Sequence, residues 1–346
     1  AITISSPTIY VRTAAEGGDD ANAGTSGSPY LTLAHALSQI SGCSTIDVGE
    51  GTFTDDKLDI TNTHDELTIR GAGRDLTIFD QNGTGDHFME IKGTATSITI
   101  TDMTIKTYNE SDYGGAIDIT TTGTVTLQDI NFEDNYCSSW GGALYLGSGT
   151  NVTVDRCKFK GNYTSGTSTS CYGGAIYTVG NITILNSLFY DNDCIDDYYN
   201  GIIGIYNGTA TITNCTFADN LASDDAPVIY VYENSSTTAN IKNCIFKDNA
   251  STHDVERYYG TVNFTYSWYE ARTGTFNSTT GSTTSGTVLF VDQANDDYNL
   301  QYDSEGKDDG AADASITVDI AGNSRSDGSL DLGCYEYTCT TPVAGT

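Results

Sequence analysis

The chain has 346 residues, 38% apolar and 18% charged, enough for one long domain with a sizeable core. Acidic residues outnumber basic ones 46 to 15, and the net charge of −31 repels nucleic acid, anionic membranes and polyuronates. No apolar run approaches the length of a membrane-spanning helix.

In chain order, the first regular element is predicted at 31–40 (LTLAHALSQI), where Leu33, Ala36, Leu37 and Ile40 share one helical face. It falls where a stacked β structure needs a lid over its first open strand edge. From residue 45 apolar residues alternate with polar ones, as at 67–81 (LTIRGAGRDLTIFDQ) and 97–106 (SITITDMTIK). Alternation at two residues is strand periodicity.

Between 114 and 249 one pattern recurs five times: GGAIDITTTGTVTLQDINFEDN, GGALYLGSGTNVTVDRCKFKGN, GGAIYTVGNITILNSLFYDN, GIIGIYNGTATITNCTFADN and VIYVYENSSTTANIKNCIFKDN. The starts are spaced by 27, 32, 28 and 27 residues. A period in this range identifies a solenoid, whose units bury their apolar side only by stacking. Asp129, Arg156, Asn186, Asn214 and Asn243 interrupt the alternation singly, which predicts one-residue bends in left-handed backbone. Stacking at about 4.8 Å per coil makes ladders of Phe132, Phe159, Phe189, Phe217 and Phe246, and of Asn135, Asn162, Asn192, Asn220 and Asn249. Residues 262–269 read as a last, degraded coil. The expectation is therefore all-β: a single parallel β-helix of roughly nine coils, on the order of 45 Å long. Its parts are an opening segment with capping helix (1–44), the coils (45–287) and a C-terminal capping or anchor-type segment (288–346).

Several residues are candidates for chemistry. Asp134, Asp191, Asp219 and Asp248 each precede a corner Asn and stack in near-register, so calcium bridging is the sharper reading beside a solvated acidic face. Asp196, Asp197, Asp224 and Asp225 fall in consecutive loops beside Tyr198 and Tyr199, with His253 in the next loop, and are the best carboxylate cleft. Acidic pairs are so common here that each carries little signal. Tyr145, Tyr177, Tyr206 and Tyr232 follow the repeat start at equivalent places, with Asp118 below, while Tyr113, Trp140, Tyr172 and Tyr259 precede their coils. Such rings either stabilise neighbouring coils or present a flat face to a glycan or another subunit.

Cys157, Cys215 and Cys244 share an inward column with Ile130 and Ser187 and read as small hydrophobes. Cys137, Cys171 and Cys194 are expected in loops between coils, where Cys171 pairs with Cys137 or Cys194; Cys334 and Cys339 are close enough to pair. Sequons at Asn82, Asn109, Asn151, Asn162, Asn181, Asn207, Asn234, Asn249, Asn263 and Asn277 are glycosylation candidates, although a Thr- and Asn-rich solenoid produces them by chance.

The opening IYVRTAAEGGDDANAGTSGSPYLTLAHALSQI with IDVGEGTFT resembles right-handed parallel β-helix proteins of the pectate-lyase-like superfamily. The GGAI and FxxN copies resemble polymorphic outer-membrane proteins and related bacterial surface β-helices. VLFVDQANDDYNLQ (288–301) and DIAGNSRSDGSLDLGCYEY (319–337) are similar to the choice-of-anchor segment of secreted bacterial β-helix proteins. The resemblance implies a secreted, cell-surface protein, which the start at Ala1 without Met suits. Lyases on this fold use Lys or Arg against a uronate, often with calcium. Here Arg156, Lys158 and Lys160 cluster on one coil only and read as a solvated face. The expectation is a non-enzymatic structural or adhesive solenoid. Its partner is itself, in filaments or a sheath, or an extracellular glycan, with neither nucleic-acid binding nor membrane insertion. The alternative is a polysaccharide lyase, glycoside hydrolase or glycan-binding module on the same fold.

Overall fold

Most strands pair inward Val, Ile, Leu or Phe with outward polar residues, so only the coils above and below can complete the ladder and bury the apolar side. The computed structural model describes residues 7–83, 85–165, 172–195, 201–222, 226–232, 236–251, 253–313, 315–325 and 329–337. It is a parallel β-solenoid. Ten strands stack in the main sheet, from Thr8–Val11 through Thr124–Glu133 to Thr261–Thr265. A second sheet stacks nine, from Leu58–Ile60 to Arg272–Thr273, and a third stacks five, from Asn109–Glu110 to Leu221–Ala222. The strand Thr8–Val11 pairs in parallel with Thr45–Val48, so the opening segment itself supplies the first rung, ahead of the expected boundary.

The bends at Asp129, Arg156, Asn186, Asn214 and Asn243 have φ between +47° and +55°, the left-handed backbone that the sequence pattern predicts. At the next corner the left-handed residue is the one before each Asn: Asp134, Gly161, Asp191, Asp219 and Asp248, with φ between +53° and +63°. That frees the Asn side chain to point inward. Asn135 Nδ2 donates to Asn162 Oδ1 (2.9 Å), and the pattern continues to Asn192 (3.0 Å), Asn220 (3.0 Å) and Asn249 (2.9 Å). Beside it the Phe132, Phe159, Phe189, Phe217 and Phe246 rings stack at 4.8, 4.5, 4.8 and 4.7 Å, all fully buried. The paired glycines of the repeat have separate duties. Gly141 has φ +74°, while a Cβ on Gly142 would lie 2.0 Å from the Gly174 carbonyl of the next coil.

The helix is Leu33–Ser38, shorter than 31–40, with Leu33, Ala36 and Leu37 buried. Asp20 accepts the Leu31 and Thr32 N–H groups, which holds them outside the helix, and Thr32 Oγ1 caps it by accepting from the His35 N–H (3.1 Å).

The C-terminal segment lies along the flank of its own solenoid. Leu188, Tyr190, Ala218, Ile245 and Trp268 on the outside of the coils form a second apolar cluster with Val288, Phe290, Tyr298, Leu300, Ile320, Leu332, Cys334 and Tyr335. Gly333 N–H donates to Asn243 O (2.8 Å), Asn243 Nδ2 to Ala311 O (2.9 Å), and Lys160 pairs with Asp296 (2.6 Å). The segment is locked internally by a buried ion pair, Arg325 to Glu336 at 2.8 Å.

Candidate functional site

The second sheet carries one outward residue per coil in a single column. In register order it reads Asp59, Glu90, Asp118, Tyr145, Tyr177, Gly204, Tyr230 and Glu256. Tyr206 and Tyr232 thus lie two residues beyond the column, which Gly204 and Tyr230 occupy in their coils. The rings remain continuous nonetheless. A Cβ on Gly204 would stand 3.1 Å from the Tyr177 ring, so glycine makes room for that ring to lean across. The path runs Tyr113 to Tyr145 (4.6 Å), Tyr177 (6.0 Å), Tyr206 (6.1 Å), Tyr232 (5.4 Å), Tyr258 (5.7 Å) and Tyr259 (4.7 Å). Trp140 joins the strip at 5.1 Å from Tyr113 and 5.3 Å from Tyr177, and Tyr172 at 5.6 Å from Tyr177. Tyr177 and Tyr230 are buried within the strip, whereas Tyr113, Tyr258 and Tyr259 are 39%, 48% and 53% exposed.

The foot of the column is acidic. Lys92 Nζ bridges Asp59 (2.7 Å) and Glu90 (2.6 Å). Asp118, between Glu90 and Tyr145, has a buried Oδ1 without a hydrogen-bond partner. Burial, then the charges of Glu90 and Glu110, push its pKa up to about 7. Burial and the same Asp118 charge push Tyr145 up to about 12. The foot therefore sets a carboxyl that holds its proton to near-neutral pH beside one neutralised by a lysine. The sequence pattern located Asp118 but not Asp59, Glu90 or Lys92. Asp59 in LDI and Glu90 in MEI alternate with inward residues, but the weak punctuation of those coils hides the shared column.

The other candidates scatter. Asp196, Asp197, Asp224 and Asp225 lie outside the described residues. His253 is half-buried, and its Nδ1 has no hydrogen-bond partner. In the aspartate column, Asp134, Asp191 and Asp248 are exposed and Asp219 is half-buried. Gln293 Nε2 donates to both Asp219 oxygens (2.7 and 2.9 Å) and to Asp248 (3.2 Å), the Tyr298 hydroxyl donates to Asp219 (3.0 Å), and Lys247 pairs with Asp248 (2.7 Å). Donors from the C-terminal segment and a lysine thus offset the charge of Asp219 and Asp248.

Cys137 and Cys194 are not in loops. They are buried in short strands of the third sheet, with Thr164 in register between them, because the chain re-enters a sheet just after each corner Asn. Cys171 and Cys339 lie outside the described residues. Cys157, Cys215, Cys244 and Cys334 are fully buried free thiols, and burial pushes Cys157 and Cys334 up to about 12. Among the sequons, Asn82, Asn109, Asn151 and Asn277 are exposed, and Asn181, also exposed, donates to Asn151 (3.0 Å). Asn207 and Asn263 are half-buried, and Asn234 is outside the described residues. Asn162 and Asn249 commit their amides to the ladder, which removes them as acceptors in the folded chain.

Arg156 and Lys158 are not a solvated face. With Arg74, Asp75, Asp102, Asp129 and Tyr335 they line a cleft of about 610 Å³ against the C-terminal segment. Burial and then Arg74 lower the pKa of Lys158. Asp129 pairs with both Arg74 (2.7 Å) and Arg156 (2.8 Å), so the three cations face three carboxylates and present no net charge to a uronate.

Residues 59–288 match the family described as the right-handed β-helix region. A solved pectate lyase, Pel9A, has a TM-score of 0.50 at 13% identity, covering 97% of this chain and 98% of its own. ORF18 of Geobacillus virus E2 has 0.45 at 14%, covering 80% and 60%, and the pectin methylesterase from Aspergillus niger 0.37 at 16%, covering 84% and 93%. At these identities the likeness is one of fold alone. No protein of curated function is similar to this chain in sequence. By the match over most of its length, the chain belongs to the right-handed β-helix family.

Proposed function

We propose that the chain is an extracellular, adhesive β-solenoid that holds an uncharged glycan along the aromatic strip of its second sheet. The observation that carries this reading is the unbroken series of rings from Tyr113 to Tyr259, crossing successive coils at 4.6 to 6.1 Å. A pyranose presents a C–H face that packs on an aromatic ring while its hydroxyls stay wet, and tyrosine offers an apolar body with a polar tip. A net charge of −31 disfavours polyuronates and leaves neutral chains. The test is affinity electrophoresis and pull-down against a panel of neutral polysaccharides. The wild-type chain should be retained by at least one. Replacing Tyr113, Tyr258 and Tyr259 together by Ala should cut retention at least about tenfold, at about 1 kcal/mol or less per exposed ring. Retention undiminished in that variant, or none across the panel, overturns the reading.

The acidic foot supports a second reading, glycoside hydrolysis at the end of the strip. Asp118 and Glu90 occupy adjacent rungs of the column, a neighbouring pair of carboxyl groups of the kind glycoside hydrolysis uses. Release of reducing ends that Asp118→Asn abolishes, with binding retained, would favour hydrolysis over adhesion alone.

A further inference from the structure

Among the described residues, one group of three side chains has ligand atoms close enough to share a metal ion: Asp86, His87 and Glu110, all within 4.8 Å of one another. None of the three side chains belongs to the aromatic strip, although the Glu110 charge reaches Asp118 at the foot of its column, and the site does not depend on the glycan reading. Glu110 ends the strand Asn109–Glu110 of the third sheet. Its Oε1 accepts from the Ser111 N–H (2.6 Å), the Ser111 hydroxyl (3.0 Å) and the Asp112 N–H (3.2 Å), which fixes the carboxylate and turns Oε2 to His87. His87 Nδ1 stands 3.2 Å from that Oε2 and 3.4 Å from Asp86 Oδ1. The other Asp86 oxygen, Oδ2, is taken by Lys57.

Two features point to a ligand. The Nδ1 atom is buried and makes no hydrogen bond of good geometry, although it faces two carboxylate oxygens. A buried nitrogen in that position asks for a partner that both it and the oxygens can reach. The separations also fit one. Ligands about 2.1 Å from a tetrahedral zinc ion lie about 3.4 Å from each other. Calcium, by contrast, seeks six to eight oxygens and gains little from imidazole. A cleft of about 400 Å³, lined by Gly83, Gly85, Asn109 and Ser111 together with the two carboxylates, opens beside the group and gives room for water or a substrate atom as a further ligand.

We infer that Asp86, His87 and Glu110 form a binding site for one divalent transition-metal ion of the zinc class. Three protein ligands beside an open cleft make it a site with a free coordination position. Ser111 and Asp112 orient one carboxylate and Lys57 the other, in the way outer partners position metal ligands.

The experiment strips the purified full chain with a chelator, dialyses it against zinc at graded concentrations with millimolar calcium present, and counts bound zinc by elemental analysis. Cobalt substitution adds a spectroscopic readout, since visible d–d bands of high intensity report four-coordination. The wild-type chain should hold one zinc ion that calcium does not displace. His87→Ala and Glu110→Gln should each weaken it at least tenfold, with unchanged circular dichroism. Asp134→Asn, in the exposed aspartate column, should leave it intact. Three results would overturn the assignment: no zinc above the level of the stripped His87→Ala chain, displacement by calcium, or equal loss in Asp134→Asn.

Discussion

On one flank of the rod, outward Leu188, Tyr190, Ala218 and Ile245 are sealed beneath the chain's own C-terminal segment, whereas on the second sheet Tyr145, Tyr206 and Tyr232 stay half exposed with Tyr258 and Tyr259 open. Both flanks carry apolar or aromatic residues outward on several coils, but the chemistry differs. The sealed flank is mixed, Leu188, Ala218 and Ile245 with Tyr190, and its aliphatic members gain only by leaving water. The open flank uses Tyr, whose hydroxyl keeps the ring at ease beside water. A solenoid with aliphatic outward residues must bring a cover, and one with outward tyrosines can leave its face for a partner.

The largest expected effect comes from breaking the cover. Glu336→Gln would leave the Arg325 guanidinium buried without its carboxylate, at a cost of about 3–5 kcal/mol to the docked segment. Denaturant unfolding should then show a new early transition, with dye binding from the exposed Leu188 and Ile245 patch, while the ladder coils unfold later. The double substitution Arg325→Met with Glu336→Leu should restore a single transition, because an apolar pair of similar size removes the stranded charge. A Glu336→Gln chain that unfolds as wild type would mean that apolar packing alone holds the segment.

The second effect belongs to the open flank and depends on pH. Asp118 titrates near 7 in the folded chain against 3.8 unfolded, chiefly because burial disfavours its charge. Its folded pKa is raised, so the folded state binds the proton more tightly. Its contribution is fully present below about pH 4 and is lost as pH rises toward 7. About three units correspond to at most about 4 kcal/mol. Asp118→Asn should therefore narrow the stability difference between pH 4.5 and pH 8, read as thermal midpoints at both. An unchanged difference would place the pH dependence in other buried carboxyls, such as Asp254.

The period of the repeat explains how much of this was legible. The bends, the Phe132 to Phe246 stack and the Asn135 to Asn249 ladder follow from it directly, since equivalent residues must meet in adjacent coils. Where copies open at unequal points of the coil, the period misleads: Gly204 and Tyr230 hold the column, and Tyr206 and Tyr232 lie two positions beyond it. The sealed flank has its own trace in the sequence. Leu188, Phe189 and Tyr190 are apolar in succession, as are Ile245 and Phe246, and a run without alternation marks a strand buried on both faces. Asp86, His87 and Glu110 left none. Asp86 and His87 come from a segment between strands and Glu110 from a two-residue strand, both too short of pattern for spacing to carry geometric information.

The smallest expected effect sharpens the contrast most. If the open tyrosines served only to stabilise their neighbours, removing them would cost stability as core substitutions do. Tyr258 and Tyr259 are about half exposed and stack on each other at 4.7 Å, edge to face. Replacing each by Ala should shift the unfolding free energy by no more than about 0.5 kcal/mol. Tyr177, buried within the strip, should cost several times more on the same substitution. Urea midpoints for the three variants separate the cases. A large loss at Tyr259 would make the outer rings structural and withdraw the argument for a partner, whereas a small loss with impaired glycan retention would leave binding as the work those rings do.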